Sequence, residues 1–191
     1  MSVENIVGQK IKMLCNDNSI TWEELSERTG LSKEQIDLIV NSSTIPTLAS
    51  LIKIARALGV RLGTFLDDYE ETGAVVHRKA ETKESVTFSS QLSSANSHLD
   101  FVSLAANKSG RAMEPFLIDV TTEPQQEPVL STHEGEEFIY VLEGAIKVHY
   151  GQEIHIINAG DSIYYDSIVQ HLVTSANGKP ARILAVVYTP L

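Results

Sequence analysis

The stretch Leu130-Ser131-Thr132-His133-Glu134-Gly135-Glu136-Glu137-Phe138-Ile139-Tyr140-Val141-Leu142-Glu143-Gly144 decides how the chain is read. It sets an imidazole, His133, four residues ahead of a carboxylate, Glu137, which opens an apolar run that reads as a buried strand. A second imidazole follows at His171. Two neutral imidazoles and one carboxylate are a ligand set for a divalent metal, so His133, Glu137 and His171 are expected to meet around one ion inside a small barrel.

From Leu99 onward the chain alternates with period two. Short apolar stretches cover Leu99 to Ala105, Met113 to Val120, Phe138 to Leu142, Ile146 to Tyr150, Ile154 to Ile157, Ser162 to Tyr165, Leu172 to Thr174 and Ile183 to Tyr188. About eight such strands imply an antiparallel sandwich or barrel. Tyr150-Gly151-Gln152-Glu153 and Ala159-Gly160-Asp161 read as hairpin turns, with Ile146, Val148, Ile154 and Ile156 as core candidates between them. His149 and His155 alternate with these residues and are expected on the solvated face.

Residues 1 to 70 carry a helical period instead. Ile6, Ile11, Leu14 and Cys15 share one face. Thr21-Trp22-Glu23-Glu24 has the form of a capping box, Gly30 stops the helix that it starts, and Ser32-Lys33-Glu34-Gln35 repeats the device at once. Two helices joined by so short a glycine-containing turn make a helix-turn-helix. Thr47 caps a fourth helix with Leu48, Leu51, Ile52, Ala55 and Leu58 on one face, and Leu62, Phe65 and Leu66 suggest a fifth. Between the halves, residues 71 to 98 are rich in Ser, Glu and Lys without apolar period and read as a linker, leaving 99 to 191 for the barrel.

Composition narrows the function. The 191 residues carry a formal charge of −10, so the chain as a whole does not attract a polyanion, and contact with nucleic acid must be local. Residues 1 to 71 hold seven basic and eleven acidic side chains, and residues 72 to 191 hold eight and fourteen. Only one cysteine is present, which excludes an internal disulfide, and no apolar run reaches the roughly 18 residues a membrane helix needs. A cytoplasmic protein that does not span a membrane is expected.

On Ile11, Trp22-Glu23-Glu24-Leu25, Thr29-Gly30-Leu31-Ser32, Ile36, Ile39, Pro46, Leu51, Ile54-Ala55 and Ala57-Leu58-Gly59-Val60, the first part resembles the phage-repressor or XRE helix-turn-helix family. The resemblance implies a lambda-repressor-like all-α domain of five helices, with the helix from Lys33 to Asn41 in the major groove of double-stranded DNA. Ser32, Lys33, Gln35 and Asn41 are then the candidate DNA contacts, with Glu34 and Asp37 opposing them.

The second part resembles the cupin family, an all-β jelly-roll barrel. His133, Glu137 and Gly144 occupy three of the four marked positions of its first motif, with Ser131 where a further histidine would stand; Gly160 and His171 match its second motif, while Asp166, Ile168 and Ser175 replace its proline, second glycine and asparagine. The resemblance implies a divalent metal on His133, Glu137 and His171, with iron favoured and zinc, nickel or manganese also suited to the donors.

This two-domain layout is similar to bacterial regulators in which a cupin senses a small molecule and a helix-turn-helix binds an operator. It is also similar to iron epoxidases acting on 2-hydroxypropylphosphonate, which share the ligand set. Those enzymes use a helical-domain lysine and a barrel tyrosine at the positions of Ser19 and Phe101, which have neither the charge nor the phenolic oxygen. The expectation is therefore a ligand- or metal-responsive regulator, a homo-dimer or tetramer, whose half-sites lie about one DNA turn apart. The alternative is a non-haem iron enzyme of the epoxidase type. Arg111, Ser131, Tyr140, Tyr164 and Gln170 are the candidate residues of an effector pocket.

Overall fold

A computed structural model describes residues 5–41, 46–66, 73–79, 87–89, 98–106, 108, 110–121 and 130–190. Five helices come first: α1 (Ile6–Asp17), α2 (Trp22–Thr29), α3 (Lys33–Asn41), α4 (Leu48–Ala57) and the short α5 (Gly63–Leu66). Nine strands follow: β1 (Thr87–Ser89), β2 (His98–Ser103), β3 (Met113–Val120), β4 (Glu136–Glu143), β5 (Ala145–Tyr150), β6 (Glu153–Asn158), β7 (Ser162–Asp166), β8 (His171–Ser175) and β9 (Ala181–Tyr188).

The helices start and stop where local chemistry dictates. Thr21 Oγ1 accepts from the Glu24 amide at 3.2 Å while Glu24 Oε2 accepts from the Thr21 amide at 2.9 Å, so two otherwise orphaned donors at the start of α2 are satisfied reciprocally. Gly30 closes α2 in the left-handed region, at φ 68°. Ser32 and Gln35 form the same reciprocal pair at the start of α3, at 3.2 and 2.9 Å. Ile11, Leu25, Ile36, Ile39, Leu51 and Ile54 are each at most 1% exposed and form one core. Cys15, as expected, belongs to it.

The strands build an antiparallel six-stranded sheet in the order β1-β2-β3-β9-β4-β7 and a three-stranded sheet in the order β6-β5-β8. Their facing surfaces close a sandwich whose interior receives Phe116, Ile118, Ile139, Val141, Ile146 and Val148. The segment read as a linker contributes β1, which pairs with β2 through Thr87↔Asp100 and Ser89↔His98.

One register differs from expectation. Ile154 and Ile156 are 60% and 50% exposed, although they were candidates for the core. The β5–β6 pairing sets Val148 against His155 and Lys147 against Ile156, so even-numbered positions of β5 lie opposite odd-numbered positions of β6. Since Ile146 and Val148 face inward, Ile154 and Ile156 share the outer face with Lys147 and His149.

Candidate metal centre and nucleic-acid interface

The barrel interior brings His133, Glu137 and His171 together. Their ligating atoms lie within 4.8 Å of one another, and all three residues are buried. Glu137 stands on β4 on the same face as Ile139 and Val141, His171 opens β8, and His133 lies in the loop before β4. That loop is fixed by backbone pairing. The Ser131 amide donates to the His171 carbonyl at 2.7 Å and the His171 amide returns to the Ser131 carbonyl at 2.9 Å, while the His133 amide donates to the Ser167 carbonyl at 3.0 Å. Gly135 makes the tight passage from His133 into β4, at φ +106° and with its backbone so near Tyr188 that a Cβ would lie 1.9 Å from the Tyr188 carbonyl oxygen.

The donor atoms fit a cation. His133 Nδ1 lies 3.1 Å from the Glu134 carbonyl and His171 Nδ1 lies 2.8 Å from the Val169 carbonyl. A carbonyl only accepts, so each Nδ1 carries the proton and each Nε2 is turned toward the centre. Both Nε2 atoms face one oxygen, Glu137 Oε1, at 2.8 and 3.5 Å. Such convergence on one carboxylate oxygen suits a shared proton or one metal ion at the centre. Burial works against ionisation of Glu137, but hydrogen bonds from His133 and His171 and their charge outweigh it and hold the carboxyl well below the usual range. Burial likewise lowers the His171 pKa, and the hydrogen bond and charge of Glu137 more than reverse this, leaving it raised. The set is thus electrically self-consistent only as paired charges or as a metal complex.

Tyr165 completes the site and was missed in the sequence. Its hydroxyl donates to Glu137 Oε2 at 2.6 Å, and the pairing of β4 with β7 places it directly opposite Glu137. Burial and the neighbouring carboxylate push its pKa well above the ordinary phenolic value, so it remains a donor. The signal was its parity: in β7 the inward position is Tyr165, and Tyr164 faces out, 63% exposed, donating to the Glu136 carboxylate.

The other expected pocket residues fall in different places. Ser131 lines the cavity beside His133. Tyr140 is 38% exposed on β4 and Gln170 is exposed in the turn before β8; neither lines it. Arg111 is partly buried, with its side chain 7% exposed and Nε 2.7 Å from Glu114 Oε2; its guanidinium lies against Gly63 of α5, while its carbonyl accepts from Arg61 Nη1 at 3.3 Å. Through Gly63 and Arg61 it braces the barrel against the helical part.

The cavity measures about 120 Å³. His133, Glu137 and His171 line it together with Phe101, Ile118, Ile183, Ala185 and Val187, and Thr47, Leu48 and Ala49 at the start of α4 join the lining from the helical part. A second cleft, of about 430 Å³, runs between the two parts with Arg28, Lys53 and Arg56 on the helical wall and Thr132, His133 and Glu134 on the other. Arg56 pairs with Glu134 across it. Both partners are about half exposed, so this pair contributes at most about 1 kcal/mol.

On the helical side, Lys33, Glu34, Asp37, Leu38 and Asn41 of α3 are exposed. The expected DNA contacts already have partners within the chain. Lys33 Nζ lies 2.6 Å from Glu23 Oε1, Asn41 Nδ2 donates to Asp37 at 2.6 Å, and Ser32 and Gln35 cap α3.

Comparison with known proteins agrees with both halves. The helix-turn-helix family matches residues 11–65 and the cupin domain family matches residues 118–187. The chain is a two-domain helix-turn-helix and cupin protein. The HTH-type transcriptional regulator SutR of Escherichia coli K12 is 21% identical over 193 residues, covering 99% of this chain and 98% of that protein. The (S)-2-hydroxypropylphosphonic acid epoxidase of Streptomyces wedmorensis is 28% identical over 156 residues, 73% of each chain. Among solved structures, an HTH_3 family transcriptional regulator from Vibrio cholerae aligns with a TM-score of 0.69 at 22% identity, covering 98% of this chain and 97% of that one. Fe(II)-HppE with the alternative substrate (S)-1-HPP aligns at 0.51 and 20% identity, covering 98% and 99%. These structural likenesses establish the shared fold. The donor set of the helix-turn-helix and cupin protein suits a divalent metal, and no helix among its described residues is long and apolar enough to cross a membrane.

Proposed function

We propose that the helix-turn-helix and cupin protein is a transcriptional regulator in which the barrel holds a divalent metal and senses a small effector, while α3 reads an operator. The observation that carries this reading is the coexistence, in one chain, of an exposed α3 face with a buried metal-type triad whose cavity is lined in part by α4 of the same helical part. SutR, similar over nearly the whole chain, is a transcriptional regulator by name, which supports the same reading.

His133, Glu137 and His171 would hold the ion and Tyr165 would fix the second oxygen of Glu137. The ion, when bound, supplies a Lewis-acidic position at which an effector donor atom can coordinate. Three protein ligands leave such positions open. Iron is favoured for this donor set, with zinc, nickel and manganese also suited. Lys33, Gln35, Asn41 and Ser32 are the contact residues proposed for DNA, and a symmetric dimer or tetramer would bring two α3 helices to half-sites about one DNA turn apart. Contact with phosphates requires Lys33 to exchange Glu23 for DNA, which makes affinity steeply dependent on salt.

The epoxidase alternative finds less support at the site. Phe101 faces the cavity with no phenolic oxygen, Ser19 lies in the turn after α1, and no Lys or Arg is among the cavity's described lining residues. Selection of operator sequences from random duplexes at low salt is the test. Recovery of a two-fold symmetric motif is the expected result; no sequence preference, together with oxygen consumption by the Fe(II)-loaded protein on small phosphonates, would replace the regulator reading with the enzyme one.

A further inference from the structure

The composition and size of the barrel cavity restrict what it can bind. We infer that the effector is a compact, largely apolar molecule of about six non-hydrogen atoms or fewer, carrying one metal-ligating group of charge no greater than −1, and that it touches the first turn of α4. This rests on the proposed metal reading of His133, Glu137 and His171 and goes further in naming the ligand and its route to the DNA-binding part.

Size sets the first limit. An apolar cavity of about 150 Å³ accommodates benzene, so the part of the effector seated in the 120 Å³ here is of that size or smaller. Polarity sets the second. Away from the triad and Ser131, the barrel strands line the cavity with hydrocarbon, including Phe101, Ile118, Ile183, Ala185 and Val187. A polar tail there would lose its water without gaining a hydrogen-bond partner.

Charge sets the third limit. A divalent ion on neutral His133 and His171 and anionic Glu137 leaves a centre of net charge +1. A singly charged donor neutralises that centre. A doubly charged phosphonate would retain an unpaired charge in the hydrocarbon, because no cationic side chain is among the described lining residues.

The remaining wall comes from the helical part. Thr47, Leu48 and Ala49 join the lining, and the Thr47 hydroxyl is committed to capping α4, accepting from the Ser50 amide at 3.0 Å and donating to Ser50 Oγ at 2.7 Å. The contact this turn offers the ligand is therefore chiefly the Leu48 side chain. α4 is anchored in its own domain by Leu51 and Ile54, both fully buried, so a shift of its first turn is carried into the helices around it. An effector meeting Leu48 thus touches the barrel and the helical part at once, the kind of contact through which two sites can be coupled.

The experiment uses full-length chain loaded with Co(II), with binding read from the cobalt visible spectrum and from the melting temperature. Three probes, compared at a pH above the second ionisation of the phosphonate, separate the limits: isobutyrate, dianionic ethylphosphonate with the same number of non-hydrogen atoms, and octanoate. Isobutyrate is expected to bind at least tenfold more tightly than either of the others. In Ala185→Leu, which fills the cavity, isobutyrate affinity falls at least tenfold, and in Leu48→Ala it changes at least threefold, with cobalt content measured on each variant. If ethylphosphonate or octanoate binds as well as isobutyrate, the inferred ligand class is wrong; if Leu48→Ala and Leu48→Trp both leave affinity unaltered, the α4 contact is wrong. Failure of the wild-type chain to take up cobalt would overturn the metal reading itself, and with it this inference.

Discussion

Tyr165 and Glu137 sit directly opposite each other on β7 and β4, and the tyrosine hydroxyl donates to Glu137 Oε2 at 2.6 Å while Oε1 faces the two histidines. The carboxylate is therefore held at both ends. A metal held here would find one oxygen of Glu137 free to bind it, while the tyrosine holds the other and fixes the direction of the carboxylate.

Tyr165→Phe removes that hydroxyl without changing the ring. The buried Oε2 then loses its partner and the carboxylate can rotate. Metal affinity is expected to drop by about 10- to 100-fold, with the fold retained. Competition with a chromophoric chelator measures it, and an affinity equal to wild type would show that Tyr165 does not position Glu137.

The two titrating partners give the metal-free protein a stability window with different causes at each edge. Glu137 has a depressed folded pKa, so its contribution is present above its ordinary value of 4.5 and is lost as pH falls from there toward the folded value. His171 has a raised folded pKa, so its contribution is fully present below its ordinary 6.5 and is lost as pH rises through the folded value. Thermal melts of metal-free protein should therefore decline at both extremes. A metal displaces the histidine protons, so the added metal should raise the melting temperature more at high pH than at low. A metal-induced shift that is the same across this range would contradict that assignment.

Gly135 links His133 to β4 at φ +106°, where a Cβ would meet the Tyr188 carbonyl oxygen at 1.9 Å. Gly135→Ala therefore combines backbone strain with a clash against backbone that cannot swing aside, and is expected to cost at least about 2 kcal/mol of stability. Denaturant unfolding of the variant checks this. Gly160→Ala, with a positive φ of 92° but open space around the Cβ, should cost less.

Much of this site was readable in the sequence because its signals are local. Spacing placed His133 and Glu137 on either side of a glycine, and capping chemistry at Thr21 and Ser32 fixed the helix starts. What was not readable depends on register between strands. Tyr164 and Tyr165 are equivalent by composition, and only the pairing of Glu137 with Tyr165 says which faces the metal donors. The same holds for Ile154 and Ile156, whose apolar character suggested burial while the β5–β6 register turned them outward. Arg111 could not be assigned from sequence because its neighbours, Glu114 and Gly63, lie on opposite sides of the domain boundary. Residues 71–72, 80–86 and 90–97 of the expected linker lie outside the described residues.

The acidic character of α3 makes the DNA-binding reading testable by charge alone. Glu34 and Asp37 stand exposed on the helix beside Lys33 and Asn41, where they would oppose phosphates. Glu34→Gln and Asp37→Asn should each raise DNA affinity by a factor of roughly two to ten at low salt, an advantage that shrinks as salt is added. Asp37→Asn keeps an oxygen to accept from Asn41 Nδ2, so its effect reports charge and not a lost hydrogen bond. Lys33→Ala should act in the opposite direction, weakening binding across all sequences and flattening the salt dependence by about one unit of slope. Fluorescence anisotropy on a labelled duplex measures both. If neutralising the acidic pair and removing the lysine leave affinity alike, α3 does not face the phosphate backbone, and the helix-turn-helix serves this protein as a packing surface.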